Sequence, residues 1–343
     1  MPTRVQDITT TTCPICGGRE LDSYDSVRDY VEGRIARAIV ECTVCGASFV
    51  DDRTIWPGLY EAIYEHADVL PGYRRYSQYA EIVESAADPL RRLADLDDVY
   101  ESLTVLADEP DARTWNVLEL GCGLGYTTAS LRKAGLDAVG ADISATAVAA
   151  ANERYGPHYR VVDPEAPPAE WIGHFDIVIA TEVIEHISDP LQFVHQSVRY
   201  LKPGGRLLIT TPNKDSARHL SRWHTDAPPV HLFWLGRASL QTLADRAGCT
   251  VSFLELAPRP PTASGALGND HLGEPILSAD LTPLHRVPRN ARVGAFLRRV
   301  PGLYAFASRL VVTGATLRRP SNVADRSGPA TLVALLRTSE QAR

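Results

Sequence analysis

Lysine is nearly missing from this chain: Lys133, Lys202 and Lys214 stand against 32 arginines. We read that imbalance as genomic base composition rather than function. An excess of positive charge is missing too. The net charge is −7, which argues against a protein whose main task is gripping nucleic acid. No apolar run approaches the roughly 18–20 residues that a membrane span requires. Residues 1–12 hold one Arg and a Thr run but no apolar stretch, so no secretory signal is expected. A cytoplasmic location, where thiols stay reduced, is the expectation that follows. Six cysteines in 343 residues exclude a disulfide-dense mini-protein. With 44% hydrophobic and 22% charged residues the chain is not disordered, and its length suggests about two domains.

Four of the cysteines form two matching knuckles, Cys13-Pro14-Ile15-Cys16-Gly17 and Cys42-Thr43-Val44-Cys45-Gly46. Four thiolates suit tetrahedral zinc, and a glycine after each pair permits the tight turn that aims backbone N–H groups at sulfur. Four cysteine ligands leave no open position, so such a zinc is structural. Disulfides are disfavoured by the expected compartment, and a redox pair by the duplication. Cys122 and Cys249 stand alone and read as core thiols.

Residues 55–110 read as helical, with Tyr60, Ile63, Tyr64 and Leu90, Leu93, Leu96 at helical spacings and breaks at Pro71-Gly72 and Asp88-Pro89. From Trp115 strands alternate with helices. Strands are expected at 116–120, 138–142, 159–163, 175–181, 206–211, 250–256 and 330–336. Helices are expected to about Ala134, to Tyr155, and over 190–201 and 237–247. Such alternation implies a doubly wound, mostly parallel sheet. Residues 258–328 interrupt it. They begin loop-like and end in two amphipathic helices around Phe296 and Phe306. Eight arginines and no acid lie between Leu281 and Ala324.

The strongest chemical signal is Glu119-Leu120-Gly121-Cys122-Gly123-Leu124-Gly125, a turn after the first strand. Its glycines let the backbone turn sharply and approach a ligand closely. Asp142 ends the next strand, where a carboxylate accepts hydrogen bonds from ribose hydroxyls. Dinucleotide binders and binders of S-adenosylmethionine (SAM) share this pattern. Glu119 favours the second, because a sulfonium ligand tolerates nearby acid and a pyrophosphate does not.

With Phe175-Asp176-Ile177-Val178 and Leu201-Lys202-Pro203-Gly204-Gly205-Arg206-Leu207, the glycine motif resembles the class I SAM-dependent methyltransferases over about 111–257 and 329–343. The resemblance implies a Rossmann-like sheet of seven strands with the seventh antiparallel. It places Gly121 and Gly123 at the methionine part, Asp142 at the ribose and Asp163 at the adenine amine, with Gly125 also among the cofactor-binding residues. Thr181 and Glu182 end strand four, where ligands gather in open α/β sheets. The N-terminal knuckles resemble a zinc ribbon, a module that precedes the catalytic domain in some small-molecule and sugar methyltransferases.

Glu182-Val183-Ile184-Glu185-His186 resembles the matching segment of ubiquinone-pathway O-methyltransferases. If a helix begins at once, Glu182 and His186 share a face beside Glu185. With His231 they could hold Mg2+ or another divalent ion, as in small-RNA 2′-O-methyltransferases, and activate a hydroxyl. The plainer reading is a recurring structural turn without metal; a further alternative makes His186 or His231 a general base.

The expected layout is a zinc-ribbon-like module (1–54), a helical connector capping the substrate side (55–110), the methyltransferase core (111–257 with 329–343) and an Arg-rich insertion (258–328). The insertion suits a lid, a contact with substrate phosphate, or a peripheral membrane contact through 290–319. The expected reaction is methyl transfer to a small molecule, most simply to oxygen of a sugar, quinone-like or secondary-metabolite acceptor. Its alternatives are nucleic-acid methylation and C- or N-methylation of a sugar nucleotide. Stable nucleic-acid binding is not expected.

Overall fold

The computed structural model describes residues 9–27, 29–32, 37–70, 73, 75–163, 166–216, 227–256, 275–284 and 330–338. The helices expected near Phe296 and Phe306, the segment 290–319 and most of the Arg-rich insertion lie outside the described residues.

Seven strands make the central sheet: β4 (Asn116–Leu120), β5 (Asp137–Asp142), β6 (Tyr159–Val161), β7 (Phe175–Thr181), β8 (Leu201–Pro212), β10 (Cys249–Phe253) and β11 (Thr331–Thr338). Their spatial order is β10-β11-β8-β7-β4-β5-β6. The pairs among β4 to β8 are parallel, whereas β11 runs antiparallel to both β8 and β10. This is the expected α/β, doubly wound seven-stranded fold.

Period-two geometry explains why the strands read as nearly continuous apolar runs. Leu118, Val178, Leu207 and Ile209 pack into one core, and Val117, Ile177, Ile179 and Leu208 into another on the opposite face. The first face is covered by α7 (Pro190–Arg199) and α8 (Arg237–Arg246). The second is covered by α2 (Arg75–Ser85), α3 (Pro89–Ala94), α4 (Asp98–Ala107) and α5 (Tyr126–Lys133). The helix starts are written locally. Asp88, Asp97, Ser144 and Asp189 each accept a backbone N–H of the first turn, with Pro89 and Pro190 placed where no N–H is needed. Ser144 caps α6 (Ala145–Tyr155).

Several boundaries move. The third strand ends at Val161, short of Asp163, and β8 begins at Leu201. The turn Lys202-Pro203-Gly204-Gly205 therefore lies inside β8, as an irregularity in its pairing with β7.

The cysteine region forms its own antiparallel sheet from β1 (Leu21–Val27), β2 (Arg37–Cys42), β3 (Ser48–Val50) and a fourth strand, β9 (Phe233–Trp234), from much later in the chain. Asp29 and Arg37 form an ion pair at 2.8 Å beneath it, both side chains buried, and Trp56 donates its indole N–H to the same carboxylate.

Candidate active site and cysteine cluster

The glycine turn links β4 to α5. Gly121 and Cys122 donate their N–H groups to the Ala141 carbonyl at 2.8 and 3.0 Å, tying the turn to β5. Gly121 has φ of 73°, and a Cβ there would stand 2.6 Å from Cγ2 of Val183. Gly123 has φ of 49°, and a Cβ there would stand 3.1 Å from the Tyr64 hydroxyl. Both positions therefore require glycine for conformation and for space. Gly125 begins α5, and its carbonyl accepts the Tyr159 hydroxyl at 2.7 Å.

Asp142 lies at the open end of β5. One carboxylate oxygen accepts Gly123 N–H and the other accepts Ser144 N–H, each at 2.8 Å. Burial pushes its carboxyl above the ordinary value, against the pull of those N–H groups. Each oxygen keeps a lone pair, so the carboxylate is pre-oriented to accept ribose hydroxyls. Glu119 sits differently. It is 1% exposed beneath the turn, its carboxylate accepts the Thr128 hydroxyl of α5, and burial pushes it up to about 8. Asp163 is exposed beyond the end of β6.

Glu182 does not start a helix. It has φ of 53°, its N–H is held by Thr210 at 3.1 Å, and its carboxylate accepts the Thr210 hydroxyl at 3.1 Å. A 3-10 turn, Ile184–His186, follows, and α7 starts only at Pro190. The expectation that Glu182 and His186 share a helical face is thereby corrected. A left-handed backbone on a residue other than glycine costs about 1–2 kcal/mol, and such positions gather at functional sites.

Glu185, His186 and His231 do converge, with ligand atoms all within 4.8 Å of one another. The two imidazoles meet edge to face at 4.7 Å, and the Tyr60 ring meets His186 at 6.2 Å. Glu185 is fully buried and accepts the Thr211 hydroxyl at 3.1 Å. His186 donates Nδ1–H to the Val230 carbonyl at 2.6 Å, which leaves the lone pair on Nε2. Burial pulls the His186 pKa down to about 4, so the ring is neutral at ordinary pH. Glu182 stands outside this trio, so the four-ligand set is not assembled. One carboxylate with two imidazoles is a poor set for Mg2+, which prefers oxygen ligands.

The tyrosines of α1 (Leu59–Glu65) are residues that sequence reasoning used only as marks of helical spacing. Tyr64 covers Gly123, and Tyr60 lies against His186 with its hydroxyl buried and lacking a hydrogen-bond partner among the described residues. Their i, i+4 spacing was the available signal. Tyr76 packs tilted and Tyr79 edge to face against Tyr126 at 5.7 and 5.5 Å, beside the glycine turn, while Arg75 lies 5.5 Å from the Tyr76 ring.

The four N-terminal thiols also converge. Cys13 and Cys45 stand 3.7 Å apart and Cys16 and Cys42 3.5 Å, with all four Sγ atoms within 4.8 Å of one another. Tetrahedral zinc with bonds of about 2.3 Å needs sulfurs about 3.8 Å apart, so the set fits. Gly17 and Gly46 donate back to the carbonyls of Cys13 and Cys42 at 2.8 Å, both with positive φ, and Gly18 N–H points at Cys16 Sγ at 3.3 Å.

A family model described as a methyltransferase domain matches residues 73–252, just over half of the chain. The chain belongs to that family. Two curated relatives carry the name ubiquinone biosynthesis O-methyltransferase. The one from Methylococcus capsulatus is 35% identical over 108 residues, 30% of this chain and 46% of that protein. The one from Caulobacter vibrioides is 33% identical over 132 residues, 34% of this chain and 51% of that protein. The chain thus spans about half the length of the curated relatives it matches. Among solved structures, a Thermotoga maritima SAM-dependent methyltransferase, described as a possible histamine N-methyltransferase, aligns with a TM-score of 0.45 at 14% identity. The alignment covers 82% of this chain and all of that one. Among the described residues, no helix is long and apolar enough to cross a membrane.

Proposed function

We propose that the chain transfers the methyl group of SAM to an oxygen of a small-molecule acceptor. The observation that carries the cofactor half is the clasp of Gly123 and Ser144 on Asp142, beside a glycine turn with no room for side chains. SAM, when bound, supplies an already activated sulfonium methyl. What remains for the protein is to position the two reactants and to accept a proton from the nucleophile. Gly121, Gly123 and Gly125 cradle the methionine end, Asp142 holds the ribose, and Thr181 at the end of β7 borders the cleft. Asp163, beyond β6, is assigned to the adenine side.

His186 is the proton acceptor. Its Nδ1–H is fixed on the Val230 carbonyl, which leaves the lone pair on Nε2 as the accepting site. His231 packs against it, and Glu185 stands 4.0 Å from Nε2, where a carboxylate stabilises the imidazolium formed. Glu182 shapes the turn that presents them. Relatives named as O-methyltransferases support oxygen as the acceptor atom. Zinc on Cys13, Cys16, Cys42 and Cys45 is a structural cross-link of residues 1–54. Residues 55–110 cap the core (111–257 with 329–343), and 258–328 are an insertion in its sequence.

The test is methylation of a panel of phenols, sugars and quinols, followed as S-adenosylhomocysteine released. An O-methylated product is expected, and His186→Gln is expected to abolish turnover while leaving S-adenosylhomocysteine affinity intact. An N- or C-methylated product, or undiminished turnover in the variant, overturns this reading.

A further inference from the structure

The cysteine cluster and the histidine pair are joined by a continuous chain of backbone contacts. Cys42 ends β2, and its knuckle is the turn into β3. Cys42 N–H donates to the Ala47 carbonyl at 2.9 Å, and β2 pairs with β3 through Ile39–Val50, Val40–Phe49 and Glu41–Ser48. On its other edge β3 pairs with β9, Ser48 opposite Trp234 and Phe49 opposite Phe233, with the two phenyl rings 6.1 Å apart. Val50 N–H continues the ladder to the Leu232 carbonyl at 3.0 Å.

Leu232 is held from both sides. While its carbonyl accepts from Val50, its N–H donates to the Glu185 carbonyl at 2.7 Å. The preceding residues are the histidine site itself: the Val230 carbonyl receives His186 Nδ1–H, and His231 packs on the His186 ring. Three consecutive residues therefore set the position of both imidazoles, and the next two form β9.

Each knuckle is also gripped by a cation from the catalytic core. Lys214 donates to the Gly46 carbonyl at 2.5 Å and pairs with Glu41 at 3.1 Å. Arg246, at the end of α8, donates to the Ile15 carbonyl at 2.5 Å and to Pro14 at 3.3 Å. Strands of three and two residues are too short to hold a fixed geometry alone. A metal cross-link at one end of β3 and cationic clamps on both knuckles supply what their length does not.

We propose that the four-cysteine module is a positioning device for the Glu185–His186–His231 cluster. Zinc on the four thiolates fixes the β2–β3 turn, β3 fixes β9, and residues 230–232 thereby hold the two imidazoles. Val50 and Phe49 are its positioning residues; neither touches a reactant. This inference rests on the proton-accepting role given to His186, but its geometry does not depend on which acceptor is methylated. The cofactor half stands apart from this path, because the Gly123–Asp142 bond joins the glycine turn after β4 to the end of β5.

The experiment uses the full chain and reads amide hydrogen exchange by peptide, zinc content, and S-adenosylhomocysteine binding by calorimetry. In Cys16→Ser/Cys45→Ser, zinc is lost. Protection at Leu232 is expected to fall by about tenfold or more, while residues 117–120 and S-adenosylhomocysteine affinity change by less than about twofold. Unchanged protection at Leu232 without zinc overturns the proposal. So does an equal loss at 117–120, which makes the metal a global staple.

Phe49→Leu tests the mechanical path with every thiol in place. It is expected to keep about one zinc per chain and the wild-type affinity, yet to expose Leu232 several-fold more than wild type. Protection equal to wild type overturns the path through β3. A wild-type chain with no metal on its thiols overturns the proposal at its first step. A wild-type chain that binds zinc but not S-adenosylhomocysteine overturns the methyl-transfer reading instead.

Discussion

Gly123 donates its backbone N–H to Asp142 at 2.8 Å, so the turn that approaches the ligand is built on the carboxylate that recognises it. One acid thus shapes the glycine loop and offers its remaining lone pairs to a ribose. Removing it leaves Gly123 and Ser144 N–H groups without their acceptor, and the ligand without its own. Asp142→Ala is expected to weaken S-adenosylhomocysteine binding by about 100-fold, the effect of losing two charge-assisted hydrogen bonds. Asp142→Asn keeps the shape and loses the charge, and is expected to fall between. Calorimetry on folded protein checks both, and equal affinity in Asp142→Ala removes the ribose assignment.

Gly121 carries the second prediction. Its φ of 73° is strained for any other residue, and a Cβ would meet Val183 at 2.6 Å. Gly121→Ala is expected to cost about 2–4 kcal/mol, combining left-handed strain with overpacking. Only the overpacking is relieved by making room. In a double-mutant cycle Val183→Ala is therefore expected to recover about 1 kcal/mol or more, measured by denaturant unfolding. Strict additivity of the two variants overturns the contact as the cause.

The sheet was legible because its strands are buried on both faces. Phe175–Thr181 is almost wholly apolar, with Asp176 its one charged residue, and forms the expected strand. β9 was not legible. Two residues carry no period, and their partner in the ladder, β3, lies far back in the chain. In the candidate site, Asp142 and the glycines follow from local turn chemistry. The geometry of Glu182 does not, because its φ is imposed by Thr210 of a neighbouring strand rather than by its own sequence. His231 was expected beside Glu185 and His186, but only the fold reveals that Glu182 stands apart from them.

Glu119 gives a pH dependence with a defined sign. Burial raises its carboxyl from the ordinary 4.5 to about 8 in the folded chain. Between those values the folded protein keeps a proton that the unfolded chain has released. Its contribution to stability is therefore present at low pH and is lost as pH rises through that window, by up to about 1.4 kcal/mol per pH unit. Glu119→Gln keeps an acceptor for the Thr128 hydroxyl and cannot ionise. The difference in unfolding free energy between wild type and variant is expected to shift in favour of the variant from pH 5 to pH 8. A constant difference across that range overturns the assignment.

The six cysteines divide into two classes by surroundings, and metal analysis separates them. Cys13, Cys16, Cys42 and Cys45 stand within reach of one ion. Cys122 lies buried beneath the glycine turn, near Glu119 and Asp142, where burial pushes its thiol up, and Cys249 faces Thr338 at the start of β10. Protein purified without added metal is expected to carry about one zinc per chain. Cys13→Ser and Cys42→Ser, one from each knuckle, are expected to reduce that content alike, because each removes one of four ligands from a closed site. Cys122→Ser and Cys249→Ser are expected to retain it. Zinc that persists undiminished in both knuckle variants, or that leaves with Cys122, places the ion somewhere other than the four-sulfur cluster.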